Sequence, residues 1–524
     1  MLQHLVQNWH VRKPVAQSRG GIIATQNRVA GLAAAKVFKA GGNAVDAAVA
    51  TGLALAAVEP WNSGLGGVGF MMVYLARENR VRVVDFGPIS PRGLNPADYP
   101  LTGGFTSDLF TWPTVQDDRN VHGPMSIAVP GNVAGLSLAL ETFGTQKFSE
   151  VIQPAIALAD LGLAVDWYLT LKVATMAKEL ARYPSTRDVW LPDGYPPVTA
   201  AGAPLGRLML EGLAGTMRRL AEAGPRDFYE GEVAQSIARD IRALGGYLSF
   251  EDLKSYQARI VDPLEVEYRG AQLALAPGLS AGPTMARALS KLSEVKLPGG
   301  GPKADAFLAY ARVLREVYAE RLSTMGETSD HRDPSTTTHL NVVDREGNMV
   351  ALTQTLLSVF GSKVVLPQSG ILMNNGIMWF DPRPESPNYL APWKRPLTNM
   401  NPMIARKNGK AWFALGASGG RKIMPATYQI VSFLVDHGMS LEDAFHQPRI
   451  DASGGDTVSV DPRLPDSIKA ALADAFPTVE TELVVYPTNY ACPSSVLRDP
   501  NGGAHYGVSD VLSPWSGAVA EDAV

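Results

Sequence analysis

Cysteine is almost missing from this chain. Cys492 stands alone in 524 residues, which excludes an intrachain disulfide and a thiolate metal cluster. Histidine is sparse as well. The eight are scattered, and no H-x-x-x-H or H-E-x-x-H pair sets two metal ligands on one helix face. No excess of positive charge exists. The net charge of −4 argues against a nucleic-acid partner, which needs a basic face. No apolar run reaches the ~18 residues of a membrane span. The longest, Ala44 to Val58, is short and carries Asp46. Met1 to His10 lacks the basic and apolar regions of a secretory signal, so a cytoplasmic location is the default expectation.

What is present suits an ordered globular protein. Hydrophobic residues make up 46% and charged residues 19%, as in an ordinary folded chain with no long disordered tail. The length allows two or three domains.

Gly20 to Thr25 reads as a short buried strand, and Asn27 or Arg28 opens a helix that Gly41-Gly42 ends. Asn43 caps a second helix, Ala44 to Val58, with Asp46 in its first turn. That helix is apolar nearly all round and must be buried. The glycine cluster Gly64, Gly66, Gly67 and Gly69 marks unusual or closely packed backbone. A strand from Phe70 follows it where a dinucleotide-binding unit needs a helix, so no nucleotide cofactor is expected. Neither is a metal. Phe70–Leu75 and Val81–Phe86 form a hairpin. Helices are expected over Val133–Leu140, Ser149–Leu161, Thr284–Leu292 and Ala304–Leu322, with a polar loop from Ser323 to Pro334. Asn408-Gly409 is a strong hairpin turn between Met403–Arg406 and Ala411–Gly416. Ala417-Ser418-Gly419-Gly420-Arg421 then feeds a helix from Met424 to Asp436, placing glycine amides at a helix N-terminus that favours negative charge. Helices, then strands, then helices suggest one α+β body of stacked sheets covered by helices, without regular βα alternation.

Ser335-Thr336-Thr337-Thr338-His339 runs into the strand Leu340–Asp344, which turns at Gly347 and returns through Met349 to Thr355. Three hydroxyls at the start of a core strand fit simple strand propensity. They also fit a nucleophile uncovered by cleavage. A threonine hydroxyl needs a base. A free α-amino group, with a pKa of roughly 7.7–8.0, is partly neutral near pH 7 and can act as that base for its own side chain.

Several stretches together resemble the gamma-glutamyltransferase family of N-terminal nucleophile hydrolases. They are Gly41 to Ala48, Glu59-Pro60 with Ser63 to Gly67, Val129-Pro130-Gly131, Thr337-Thr338-His339, Leu352 to Thr355, Asn374-Asn375, Lys394 to Leu397 and Gly419-Gly420. The resemblance implies an αββα four-layer sandwich made as an inactive precursor that cuts itself between Thr336 and Thr337. It implies a large chain of residues 1–336 and a small chain of residues 337–524, which stay associated as each other's partner. It further implies Thr337 as nucleophile, Thr355 as its hydrogen-bonding support, and Gly419 and Gly420 as the oxyanion hole for a small amide or gamma-glutamyl substrate. Thr336 and Thr338 are the alternative leading residues. His339 is read as structural.

The acyl pocket departs from the family pattern. The position of the family's carboxylate-binding arginine falls near Pro96, leaving Arg92 as the nearby candidate. Trp379 stands where the family has an acid for the substrate's amino group, and Leu357 replaces an asparagine. Thr398-Asn399 replaces a pair of serines and keeps hydrogen-bonding capacity. A tryptophan cannot form a salt bridge with an ammonium, although cation–π contact is open to it. The expected activity is an autoprocessed amidohydrolase or acyltransferase. One alternative is an acylase for groups without the α-amine, resembling cephalosporin acylases. Another is a binding protein that has kept the fold and lost catalysis.

Overall fold

A computed structural model describes residues 11–105, 112–325, 335–481, 490–499 and 503–524. The side chains of residues 322–325, 335 and 336 also lie outside that description, as do Met1 to His10 and most of the expected loop to Pro334.

Two seven-stranded antiparallel sheets stack face to face. The first runs Gly517–Ala520, Ile22–Thr25, Ser335–Val343, Met349–Ser358, Val68–Leu75, Arg80–Phe86, Arg259–Val261. The second runs Ala16–Ser18, His505–Ser509, Cys492–Arg498, Lys410–Ser418, Met403–Lys407, Ala271–Leu275, Leu264–Tyr268.

Strand periodicity sorts side chains into three apolar layers, because successive residues face opposite sides of a sheet. In the first sheet Ile23, Met71, Val73, Leu340, Val342, Val350 and Leu352 face a helical layer built on Arg28–Lys39, Ala44–Val58 and Asn132–Phe143. Their neighbours Ile22, Ala24, Phe70, Met72, Val343, Met349 and Ala351 fill the space between the sheets. Ala274, Ile404 and Ala414 meet them from the second sheet. That sheet's other face, with Leu273, Met403, Phe413 and Leu415, packs on Gly282–Ser293, Ala304–Met325 and Ile423–Val435. A sheet covered on both faces has no solvated side, which is why its strands read as nearly continuous apolar runs. The result is the four-layer αββα sandwich.

Local signals explain the elements that reach the site. Asn43 and Asp46 form a reciprocal capping box on Ala44–Val58, whose residues 44–57 are all buried. Asp344 Oδ2 accepts a hydrogen bond from Ala44 N at 2.9 Å and so ties this helix to the turn after the threonine strand. Gly64, Gly66 and Gly69 fall at dinucleotide-loop spacing, and the chain has entered the Val68–Leu75 strand by Gly69. A Cβ on Gly66, Gly67 or Gly69 would lie 2.4, 2.7 or 2.3 Å from the carbonyl oxygens of Leu372, Thr355 and Thr353. These glycines therefore let the backbone around Thr355 come close.

Three boundaries differ from expectation. The helix expected over Ser149–Leu161 is two helices, Phe148–Val151 and Gln153–Leu161, broken where Pro154 lacks an N–H. Ala304–Met325 continues into the expected loop. A 3-10 turn, Gly420–Lys422, precedes the helix Ile423–Val435. Among the described residues no helix is long and apolar enough to cross a membrane.

Candidate active site

The threonine strand carries an irregularity at the residue of interest. Thr336 pairs with Leu357 and Thr338 with Gln354, so Thr355 and Leu356 together oppose Thr337. Such a bulge re-aims side chains locally. Here Thr337 Oγ1 donates to Thr355 Oγ1 at 3.3 Å. Thr355 Oγ1 also accepts from the Leu357 backbone N–H at 2.8 Å, which fixes the hydroxyl. Leu357 pays for this geometry with φ of 85°, rare for a branched apolar residue and a mark of local strain.

Thr337 is 6% exposed and opens on a small pocket shared with Leu357, Trp379, Asn399, Met400, Gly420 and Ile423. Gly419 and Gly420 sit between the strand Lys410–Ser418 and the helix Ile423–Val435, with φ of 128° and 54°. A side chain at Gly419 would lie 2.7 Å from Ala491 Cα. Thr337, Gly420, Asn399 and Trp379 are thus brought together. Gly419 precedes Gly420 in the chain without itself lining the pocket, and two further nominated residues lie away from it. Thr398 turns its hydroxyl to Leu279 O at 3.1 Å, and its carbonyl accepts from Arg321 at 2.9 Å. Arg92 lines no part of this pocket: its guanidinium stacks 3.5 Å over Trp393 and lies 3.8 Å from Asp252. Cation–π attraction and a carboxylate already satisfy that charge. For Thr336 the strand pairing is described and the side chain is not.

Trp379 closes a 3-10 turn, Gly376–Trp379, whose position follows from Asn374 and Asn375. Asn374 Nδ2 donates to Gly66 O and Ala128 O, while Asn375 Oδ1 accepts from Ser358 N. Both asparagines splice loops that would otherwise bury unpaired backbone groups. Trp379 packs with Leu357, Met378 and Met400 in the layer between the sheets.

His339 is fully buried, bonded to Thr353 Oγ1 at 2.8 Å and Asn341 Oδ1 at 3.1 Å. Burial pushes its pKa down to about 3, so it is a neutral spacer. Gly416 makes room for it, since a Cβ there would meet the imidazole at 2.3 Å.

Two charged residues near the site were not singled out by sequence reasoning. Glu59 accepts from Thr338 Oγ1 at 2.8 Å and from Asn62 Nδ2 at 2.6 Å. Burial raises its pKa to about 7, opposed by the Thr338 hydrogen bond and by Lys172. Arg321 donates to Thr398 O at 2.9 Å and to Asn399 Oδ1 at 3.4 Å. A signal for Arg321 existed: Tyr310, Leu314 and Val317 set a helical phase that puts residue 321 on the same buried face. Among the described residues no cluster of acidic, histidine or cysteine side chains could hold a metal ion.

The family model for gamma-glutamyltranspeptidase matches residues 30–332 and 316–519. An acylase ACY 1 proenzyme from Pseudomonas sp. (strain V22) is 32% identical over 497 residues, covering 88% of this chain and 87% of its own. A glutathione hydrolase proenzyme from Escherichia coli (strain K12) is 31% identical over 487 residues, covering 83% and 81%. The crystal structure of a cephalosporin acylase from Bacillus halodurans superposes with a TM-score of 0.83 at 25% identity, covering 99% of both chains.

Proposed function

The chain belongs to the gamma-glutamyltranspeptidase family of hydrolases and acyltransferases, and we propose that it works through Thr337 after cutting itself at the Thr336–Thr337 bond. The observation that carries this is the Thr337–Thr355 hydroxyl pair, set at a bulge and facing a pocket that also holds Gly420. Before the cut the nitrogen of Thr337 is a peptide amide without basicity. Cleavage turns it into an amine beside its own Oγ1, creating nucleophile and base together. The precursor then becomes chains of residues 1–336 and 337–524, held together by the shared sandwich.

In turnover the amine takes the Oγ1 proton as oxygen attacks the amide carbonyl. The backbone N–H groups at Gly419 and Gly420 are assigned to the oxyanion. The proton passes to the leaving amine, an ester forms on Thr337, and water or a second amine resolves it. The acyl group is proposed to lack the α-amine. Trp379 and Leu357 present apolar surface where an ammonium would need an acid, and Arg92 is engaged elsewhere. The similarity to a protein named as an acylase supports the same reading.

A denaturing gel tests the first part. Processing gives chains of 336 and 188 residues (524 − 336 = 188), and N-terminal sequencing of the shorter one begins at Thr337. Thr337→Ala is expected to stop cleavage and turnover, and Thr337→Ser to retain some of each. A lone 56.0 kDa band after long incubation overturns the assignment. Comparing gamma-glutamyl- with glutaryl-p-nitroanilide tests the second part; a clear preference for the former refutes the altered pocket.

A further inference from the structure

Arg321 is a buried cation that meets no anion among the described residues. It is 5% exposed, and its partners are Ser280 O, Thr284 Oγ1, Thr398 O and Asn399 Oδ1, all neutral. Among the described residues it forms no salt bridge. Arg421 adds repulsion, and burial holds the guanidinium down to about 10. Burying a charge among neutral partners alone is costly, so what those partners do is worth asking.

The contact with Asn399 supplies an answer. A guanidinium only donates, so it fixes the carboxamide with Oδ1 inward. Asn399 is half-buried on the wall of the Thr337 pocket. With Oδ1 committed, Nδ2 remains, and it donates no hydrogen bond among the described residues. We propose that Arg321 is a positioning residue for acyl-group selection: it holds Asn399 with its N–H donors toward the pocket, so that the site takes an apolar acyl chain ending in a carboxylate. Leu357, Trp379, Met400 and Ile423 cover the methylenes. Asn399 bonds the carboxylate, and the positive field of Arg321 polarises that amide and balances the charge. A cation from the helical layer on the far side of the second sheet thereby acts where Arg92 does not reach.

This inference rests on the proposed function and deepens it. Its test is the ratio of kcat/KM for glutaryl- and valeryl-p-nitroanilide, equal in chain length and differing in the terminal carboxylate. The processed wild type is expected to favour glutaryl by about tenfold or more, the scale of a hydrogen bond to a charged group. Arg321→Met is expected to lower that ratio about tenfold through a higher KM for glutaryl, with kcat nearly held. Asn399→Asp tests the same point where Arg321→Met fails to fold. Its carboxylate pairs with Arg321 and repels the substrate's, so the ratio should fall below one while thermal stability holds or rises. An unchanged ratio in Asn399→Asp, or a loss in Arg321→Met shared equally by both substrates, overturns the inference. A wild-type ratio near one also overturns it and leaves the amidohydrolase reading standing. Turnover of neither substrate by a processed chain sinks both.

Discussion

Thr355 Oγ1 lies 3.3 Å from Thr337 Oγ1 and accepts the Leu357 amide at 2.8 Å, so one hydroxyl ties the Thr337 side chain to the backbone of the neighbouring strand. At the bulge Thr355 and Leu356 together oppose Thr337, and the Leu357 amide folds back onto the Thr355 hydroxyl.

Replacing Thr355 by Val keeps its shape and removes the hydroxyl. Thr337 Oγ1 then loses its orienting partner, and the Leu357 N–H is left unpaired in a buried place. Loss of one such oriented bond is expected to cost about 10²-fold in kcat, with KM much less affected. Autoprocessing should slow as well, measured as the half-time for disappearance of the precursor band. A kcat within twofold of wild type removes Thr355 from the catalytic apparatus.

Glu59 gives a pH dependence with a defined sign. Its folded pKa of about 7 is above the 4.5 of an exposed glutamate. The folded chain therefore holds this proton between pH 4.5 and 7 while the unfolded chain has released it. Stability from this group is fully present below 4.5 and falls as pH rises to 7, by roughly 3 kcal/mol at most. Glu59→Gln keeps an acceptor for Thr338 and cannot titrate. Subtracting its urea-unfolding free energy from that of wild type isolates the term, and the difference should grow through that window in the variant's favour. A flat difference shows that Glu59 is not buried as an acid.

Much of this was legible in the sequence and some was not. Helix capping at Asn43, the Asn408-Gly409 turn (φ of 53° and 71°) and the alternating strands follow from local residue chemistry, and the structure has them. The grouping of Thr337, Gly420, Asn399 and Trp379 required the family pattern, since these residues converge from four separate segments. Arg92 misled because proximity in sequence to a family position says nothing about Trp393 and Asp252, distant in the chain, which hold it. Thr398 and Asn399 looked equivalent as a hydrogen-bonding pair. Only the fold shows one side chain turned to Leu279 and the other to the pocket. Arg321 was hidden because a charge on an apolar helix face is visible only after the helical phase is drawn.

His339 carries the opposite pH signature to Glu59. Its folded pKa of about 3 lies below the 6.5 of an exposed imidazole, with desolvation as the main cause. The unfolded chain takes up this proton as pH falls through 6.5, and the folded chain does not until about 3. Stability is thus lost progressively across that range. The depth of the loss should shrink in His339→Gln, which cannot charge and can still bond Thr353 or Asn341. Acid unfolding followed by tryptophan fluorescence reads it. Identical acid midpoints in the two proteins would mean that another group governs acid sensitivity.

Gly419 is expected to tolerate no side chain. Its φ of 128° lies where L-residues are strained, and an added Cβ would press on Ala491 Cα at 2.7 Å. Gly419→Ala must move backbone, because the obstacle is main chain and not the tip of a flexible side chain. The amides that follow shift with it, and an oxyanion donor displaced by even a fraction of an ångström loses most of its worth. Stability should fall by about 1–3 kcal/mol, while kcat falls about 10²–10³-fold, the range for loss of one oxyanion donor. Stability alone cannot account for that rate, so the comparison is made well below the melting temperature, with the folded fraction checked by circular dichroism. If the folded Gly419→Ala protein turns over at the wild-type rate, the glycine pair is a packing feature and the oxyanion must be held by other donors.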